Sequence, residues 1–406
     1  MSIRQWFIVI WALSTLVVGL ATTSAQTDDL DYVIVGHYSY YNIYDHDYFV
    51  TDIPADLLTH INYGYIDVSE NGQCVSIDEW ADVEYPYPGD LTTDRVRGNF
   101  NQLWLLREDN PGLQVLMTIG GWENSRNFSA AASTEEGRQR LARSCVGFMQ
   151  EFAFNGINID WRYPVSGGQF GGEPEDRENF TRLLEAFRDE IELLAVEEGV
   201  RSLLTINAPA IEAFYENFEL SEIHLHLDWI NIMTYGFQGA WSDLASHHAP
   251  LYDNARNPSL ENDANVAGAV NAYLDAGVPA RKIVIGIPFY AQTWRNVVSN
   301  GYFGLYQPAG GVPSGTRPGG MLYYRDLAPF FESENYIRYF DEEARVPWMY
   351  NESRRIAISY ENPQSVANKA AYVRSNDLRG MMVWELSYDD DVHTLLRAVF
   401  GTLSPQ

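Results

Sequence analysis

Eight short runs of β-branched and aromatic residues, "YVIVGHY", "HINYGYI", "LQVLMTI", "GINIDW", "LLTINA", "WINIMTY", "IVIGIPF" and "GMMVWEL", recur along the chain with helical patterns between them. Runs that are apolar nearly throughout and separated by crossovers read as strands of a parallel sheet covered on both faces. Eight of them alternating with helices predict an α/β architecture, a (β/α)8 TIM barrel over residues 31–401. The strongest helical stretch is "EDRENFTRLLEAFRDEIELLA", with Phe180, Leu183, Leu184, Phe187, Ile191 and Leu194 on one face. In "STEEGRQRL", Ser133 and Glu136 have capping-box spacing. The rhythm breaks between the seventh and eighth runs. Residues 291–379, rich in Tyr, Gly and Pro, read as strands with little room for a crossover helix and predict a small α+β insertion domain.

Charge narrows the partners. Asp and Glu number 55 against 27 Lys and Arg, a net of −28, which argues against nucleic acid and anionic membranes and favours a neutral ligand. At the N-terminus, Arg4 precedes the apolar run "WFIVIWALSTLVVGLA", and "TSAQ" offers small residues for cleavage after Ala25. Residues 1–25 are therefore expected to be a signal peptide, and the mature protein a secreted, extracellular monomer with no membrane contact. Cys74 and Cys145 have the option of pairing outside the cytoplasm. Cys145, however, falls on the stripe Leu141, Cys145, Phe148, Met149, Phe152 of a helix, and the expectation is a buried free thiol.

In such a barrel the site lies at the C-terminal ends of the strands. Those ends read "TIGGW", "NIDWRYP", "MTYGFQGAW", "PFYAQTW" and "VWELSYDD", each with an aromatic residue at its exit. Trp122, Tyr163, Tyr235, Trp241, Tyr290, Trp294 and Trp384 around one mouth suit a sugar cleft, because flat rings stack on the apolar faces of pyranoses.

The motifs in these exits resemble glycoside hydrolase family 18, the chitinases and chitinase-like proteins. "NGINIDWR" matches the family's strand-four DGxDxDxE, "TIGG" its SxGG, "MTYG" its MTYD, and Trp384 its strand-eight tryptophan. The insertion keeps related text in "YYRDL", "VPWMY" and "ISYENPQSVANKAAYV". The resemblance implies a cleft for oligosaccharides containing N-acetylglucosamine, with Met233 among the residues lining it. It implies no cofactor. It also implies substrate-assisted hydrolysis, in which the sugar's N-acetyl carbonyl attacks its own anomeric carbon while the signature glutamate protonates the leaving oxygen.

The signature's acids have largely gone. Asn155 and Asn158 stand at the first two, Asp160 is kept, and Arg162 replaces the glutamate. The retained Asp160 and Tyr235 match the positions that orient the acetamido group. Arginine stays protonated near neutral pH and supplies no proton. Side chains alternate along a strand, so Asn158, Asp160 and Arg162 share one face while Ile157, Ile159 and Trp161 face the helices. Arg162 then either plugs the site in an ion pair with Asp160 or turns toward a ligand, where its donor fork would suit an acidic sugar. The charge of −28 favours the plug. Gly236 removes the acid of MTYD, and Gln292 stands where the family often has arginine.

No metal is expected. His247 and His248, with Asp243 nearby, read as solvated loop residues, and Asp389 to Asp391 as caps of the final helix. The expected function is that of a secreted chitinase-like glycan binder, hydrolytically impaired. One alternative is an active, endo-acting chitinase whose acid has moved, with Glu123 and Glu385 near the rim as the carboxylates to consider, Glu385 reading as a structural part of the family's WEL. The other is a recruited protein-binding scaffold.

Overall fold

The computed structural model describes residues 32–45, 47–91, 93, 95–258, 264–299 and 301–404. The expected signal peptide lies outside the described residues. Among the described residues no helix is long and apolar enough to cross a membrane.

All eight predicted strands form, as β1 (Val33–Ser39), β2 (His60–Val68), β3 (Gln114–Gly120), β4 (Gly156–Asp160), β5 (Leu203–Pro209), β6 (Trp229–Met233), β7 (Ile283–Pro288) and β8 (Gly380–Trp384). Each pairs in parallel with its neighbours in chain order, and β1 pairs with both β2 and β8, which closes the barrel. Closure removes the sheet's edges and fixes the register, so residues two apart on a strand share the interior.

Helices α1 (Gly98–Asp109), α2 (Glu135–Glu151), α3 (Asp176–Glu198), α4 (Leu220–His226), α5 (Val266–Asp275), α6 (Pro363–Ser375) and α7 (Thr394–Leu403) belong to the crossovers and the C-terminal turn of the barrel. The six apolar residues assigned to one face of α3 are all buried, each worth ~1.5–3 kcal/mol against exposure. Gly199 then ends the helix in the left-handed conformation (φ 76°) that glycine adopts at little cost. At the start of α2 the cap differs from expectation: Thr134, one residue later than Ser133, accepts the Gly137 N–H at 3.1 Å. Ser133 instead donates to the Ala130 carbonyl. Caps on α7 do come from the acidic run. Asp390 accepts from Thr394 N, and Asp389 from Leu395 N and Leu396 N, whereas Asp391 pairs with Arg325.

Between β7 and β8 lies an antiparallel sheet, ordered Met321–Tyr323, Tyr290–Trp294, Ile356–Ser359, Val346–Asn351, Ile337–Asp341. Ala291, Leu322, Leu327, Tyr336, Met349, Ile358 and Tyr360 form a core of its own. The interval does hold a crossover helix, contrary to expectation. In α6, Asn362 caps the Ser365 N–H and Pro363 occupies the first turn, a start suited to proline because its missing N–H would have no partner there.

Cys74 and Cys145 form a disulfide. This corrects the free-thiol expectation, although Cys145 is fully buried on the α2 stripe as read. The bond ties the short strand Cys74–Ser76, antiparallel to the end of β2, to α2 across a separation of 71 residues. Closing a loop of that size restricts the unfolded chain. The Cys74→Ala/Cys145→Ala variant is expected to lose about 2–4 kcal/mol of stability. Denaturant melts that superimpose on the parent's would contradict this.

Candidate active site

The floor of the barrel mouth is built by β4. Its inward residues run Asn158, Asp160 and then Arg162, just beyond the strand. The outward Trp161 is buried among α-helical side chains, stacked on Phe128 at 5.3 Å and edge-on to Phe180. The alternation read from the sequence thus holds.

Asn158 sits deepest. Its Nδ2 donates to Thr118 Oγ1 (3.3 Å), and its Oδ1 accepts from Thr205 Oγ1 (2.8 Å) and Asn231 Nδ2 (3.2 Å). A neutral amide satisfies this buried network with donor and acceptor together, where a carboxylate would have to be protonated or paired. Asn155, at the first signature position, lies away from the mouth, its Oδ1 accepting the Val115 N–H.

Above Asn158, Arg162 grips Asp160 at both ends: Nε donates to Oδ1 at 2.7 Å and Nη2 to Oδ2 at 2.8 Å. Asn207 Nδ2 adds a third donor to Oδ2, at 3.0 Å. Asp160 is wholly buried and the Arg162 side chain 16% exposed. Burial alone would lower the guanidinium pKa, but the adjacent Asp160 outweighs it and holds the group well above its ordinary value. Arg162 is therefore a permanent cation.

The chain's approach to this pair is fixed by "TIGGW". Gly120 and Gly121 adopt φ of 102° and 92°. A Cβ on them would lie 2.6 Å from the Asp160 carbonyl oxygen and from the Tyr65 ring, so glycine is required twice over. Gly121 N then donates to the Asp160 carbonyl, and Ser125 Oγ accepts the Arg162 N–H at 2.9 Å.

The aromatic residues divide into two groups. Trp122 (48% exposed) and Trp241 (65% exposed) present free faces at the rim. Trp384, Tyr235 and Tyr290 are half-buried, with Tyr235 edge-on to Tyr290 at 6.2 Å. The Arg162 guanidinium carbon stands 5.9 Å from the Trp384 ring centre. Three expected cleft residues are otherwise engaged. Trp294 is buried, its indole N–H given to the Gly239 carbonyl. Tyr163 is buried and stacked on Phe214 at 5.1 Å. Met233 is packed into the barrel core.

Burial raises the Tyr235 pKa well above its usual value, with Arg162 opposing only in part, so its hydroxyl remains a donor. Three neighbours were missed. His37 lies on β1 with its ring 5.0 Å from Trp384, and burial lowers its pKa to about 4 against the pull of Asp160. Tyr65 lies 6.4 Å from the same indole, and Asn207 on β5 holds Asp160. Inward alternation along β1 and β5 could have found His37 and Asn207.

Of the carboxylates considered as substitutes, Glu123 is exposed beside Trp122. Glu385 is buried, which raises its pKa, while Ser39 and Ser387 donate to it at 2.6 and 2.7 Å and oppose the rise. His247 and His248 are both buried, not solvated. His247 meets Asp341 at 3.1 Å and His248 packs against Tyr290, because the inserted sheet covers their loop. Among the described residues no group of three or more His, Cys, Asp or Glu gathers as a metal site would require.

The family model for glycosyl hydrolases family 18 matches residues 33–389. The chain belongs to this family. Among similar proteins, Chitinase A1 of Niallia circulans is 38% identical over 416 residues, covering 93% of this chain and 59% of that protein. The chain thus spans little more than half of that relative. Endochitinase 1 of Metarhizium robertsii is 35% identical, covering 91% and 86%. Among solved structures, chitinase ChiA74 from Bacillus thuringiensis superimposes with a TM-score of 0.85 at 31% identity, over 94% of this chain and 71% of that one. A group IV chitinase of Ostrinia furnacalis, solved with allosamidin, gives 0.81 at 27% identity, over 92% and 98%.

Proposed function

We propose that this family 18 protein is an exported binder of glycans containing N-acetylglucosamine, and that it does not hydrolyse them. The observation that carries the proposal is the two-pronged Arg162–Asp160 pair at the position where the family signature places its proton donor. A general acid contributes typically ~10²–10⁴-fold to such a reaction. Arg162 withdraws that contribution and adds a cost, since a fixed cation ~4 Å from an oxocarbenium-like centre would repel it by at most roughly 4 kcal/mol at an effective dielectric near 20, a repulsion that pairing with Asp160 blunts. Asp160 has both oxygens committed, so the group that would steady the acetamido is also diverted. The disulfide supports export, because such bonds persist in oxidising compartments.

Binding should depend on the half-buried and exposed rings. In calorimetric titrations with the N-acetylglucosamine hexamer, Trp384→Ala is expected to weaken binding by on the order of 1–3 kcal/mol, from lost ring area and stacking. Trp294→Ala should act on thermal stability and leave affinity nearly unchanged. If Trp384→Ala binds as tightly as the parent, or the parent binds no hexamer, the glycan reading fails.

A second reading, an active chitinase, is favoured by the 38% identity to Chitinase A1. It requires a new proton donor, and exposed Glu123 at the rim is the residue to test.

A further inference from the structure

We propose that the free edge of Arg162 makes the pocket over Trp384 a carboxylate-reading subsite, which selects a glycan bearing an acidic sugar there. This rests on the glycan-binding reading and refines its ligand.

The guanidinium carries five N–H bonds, and the pair with Asp160 uses one on Nε and one on Nη2. The second N–H of Nη2 and both on Nη1 have no acceptor among the described residues. One from each nitrogen point in parallel off the end of the group, a fork spaced for the two oxygens of a carboxylate. Asp160 is fully buried behind the guanidinium while Arg162 keeps 16% of its side chain exposed, so the open end faces the cleft. With the guanidinium carbon 5.9 Å from the Trp384 ring centre, a sugar resting on that indole lies against the fork.

The surroundings add donors. The hydroxyls of Tyr65, Tyr235 and Tyr290 have no hydrogen-bond acceptor among the described residues. Burial keeps all three protonated, and each lies within the field of Arg162. The other nearby carboxylates are engaged, Asp160 by Arg162 and Asn207 and Glu385 by Ser39 and Ser387. An acetamido carbonyl offers the fork a single neutral oxygen, whereas a carboxylate offers two and a charge. The net charge of −28 acts across solvent with a screening length of ~8 Å at physiological salt. It slows the approach of an anion more than it weakens the contact once made.

The test is calorimetry on the full chain with three probes: the N-acetylglucosamine hexamer, a hexasaccharide alternating glucuronic acid with N-acetylglucosamine, and the methyl ester of that hexasaccharide. The free acid is expected to bind at least about tenfold tighter than its ester, the size of one charge-assisted hydrogen bond. Within Arg162→Lys, which keeps the charge and loses the fork, the acid-to-ester ratio should shrink. Within Arg162→Gln it should fall to about one. Equal binding of acid and ester, or a preference for the ester, overturns the carboxylate subsite and leaves the glycan reading standing if the neutral hexamer binds. Failure of all three probes overturns both. The acid-to-ester comparison on the parent protein needs no substitution, so a variant that fails to fold does not remove the test.

Discussion

Replacing Asp160 with alanine is expected to destabilise the fold by roughly 3–5 kcal/mol, the cost of breaking a buried ion pair on one side, whereas Arg162→Leu should cost far less. The asymmetry comes from what each partner can do when left alone. The Arg162 guanidinium is always charged and mostly buried, its pKa held well above the usual value only while Asp160 is present. Without Asp160 it stays a cation with no counter-charge beneath the barrel mouth. Asp160 without Arg162 keeps the Asn207 donor, so its carboxylate is not left without a partner. Urea unfolding of both variants, compared at constant slope, checks this. An Asp160→Ala loss under about 1 kcal/mol, or an Arg162→Leu loss as large as that of Asp160→Ala, would mean the pair is a surface contact and not a plug.

The strands were legible because each is a compact β-branched run whose burial on both faces leaves no other reading. The Asp160–Arg162 pair was legible too, because alternation on β4 forces residues two apart onto one face and the two opposite charges are the residues found there. What the sequence hid were contacts made across long separations. His247 reaches Asp341 94 residues away, and the backbone N–H of His248 reaches Ser359 111 residues away. No local pattern reports that a sheet inserted later will cover that loop.

The aromatic exits show a subtler limit. Position at a strand's end places a ring near the mouth but not on its open side. Trp294, the last residue of a strand of the inserted sheet, packs against Ala245, Val297 and Tyr350, and Tyr163 turned onto Phe214, while Trp122 and Trp241 stayed open. For the cysteines, burial on the helix stripe was read as evidence for a thiol. Burial and bonding were never alternatives, since the partner strand Cys74–Ser76 packs on that same stripe. Helix α6 did carry a signal in "ENPQSVANKAAYV", an Asn cap followed by Pro, which the strand-like text around it masked.

The largest effect expected in function is the absence of turnover. With no proton donor at position 162, the loss should reach or exceed the upper end of the ~10²–10⁴-fold that general acids supply. Restoring Arg162→Glu alone should leave activity well short of full, because Asn158 and Gly236 still lack the family's supporting acids. The direct test is to incubate the N-acetylglucosamine hexamer with the purified protein between mild acid and neutral pH and separate the products, while calorimetry on the same sample reports binding. Binding with no cleavage above a buffer control is the expected result. Cleavage that persists in Arg162→Ala and disappears in Glu123→Gln would contradict it and locate the working acid at the rim.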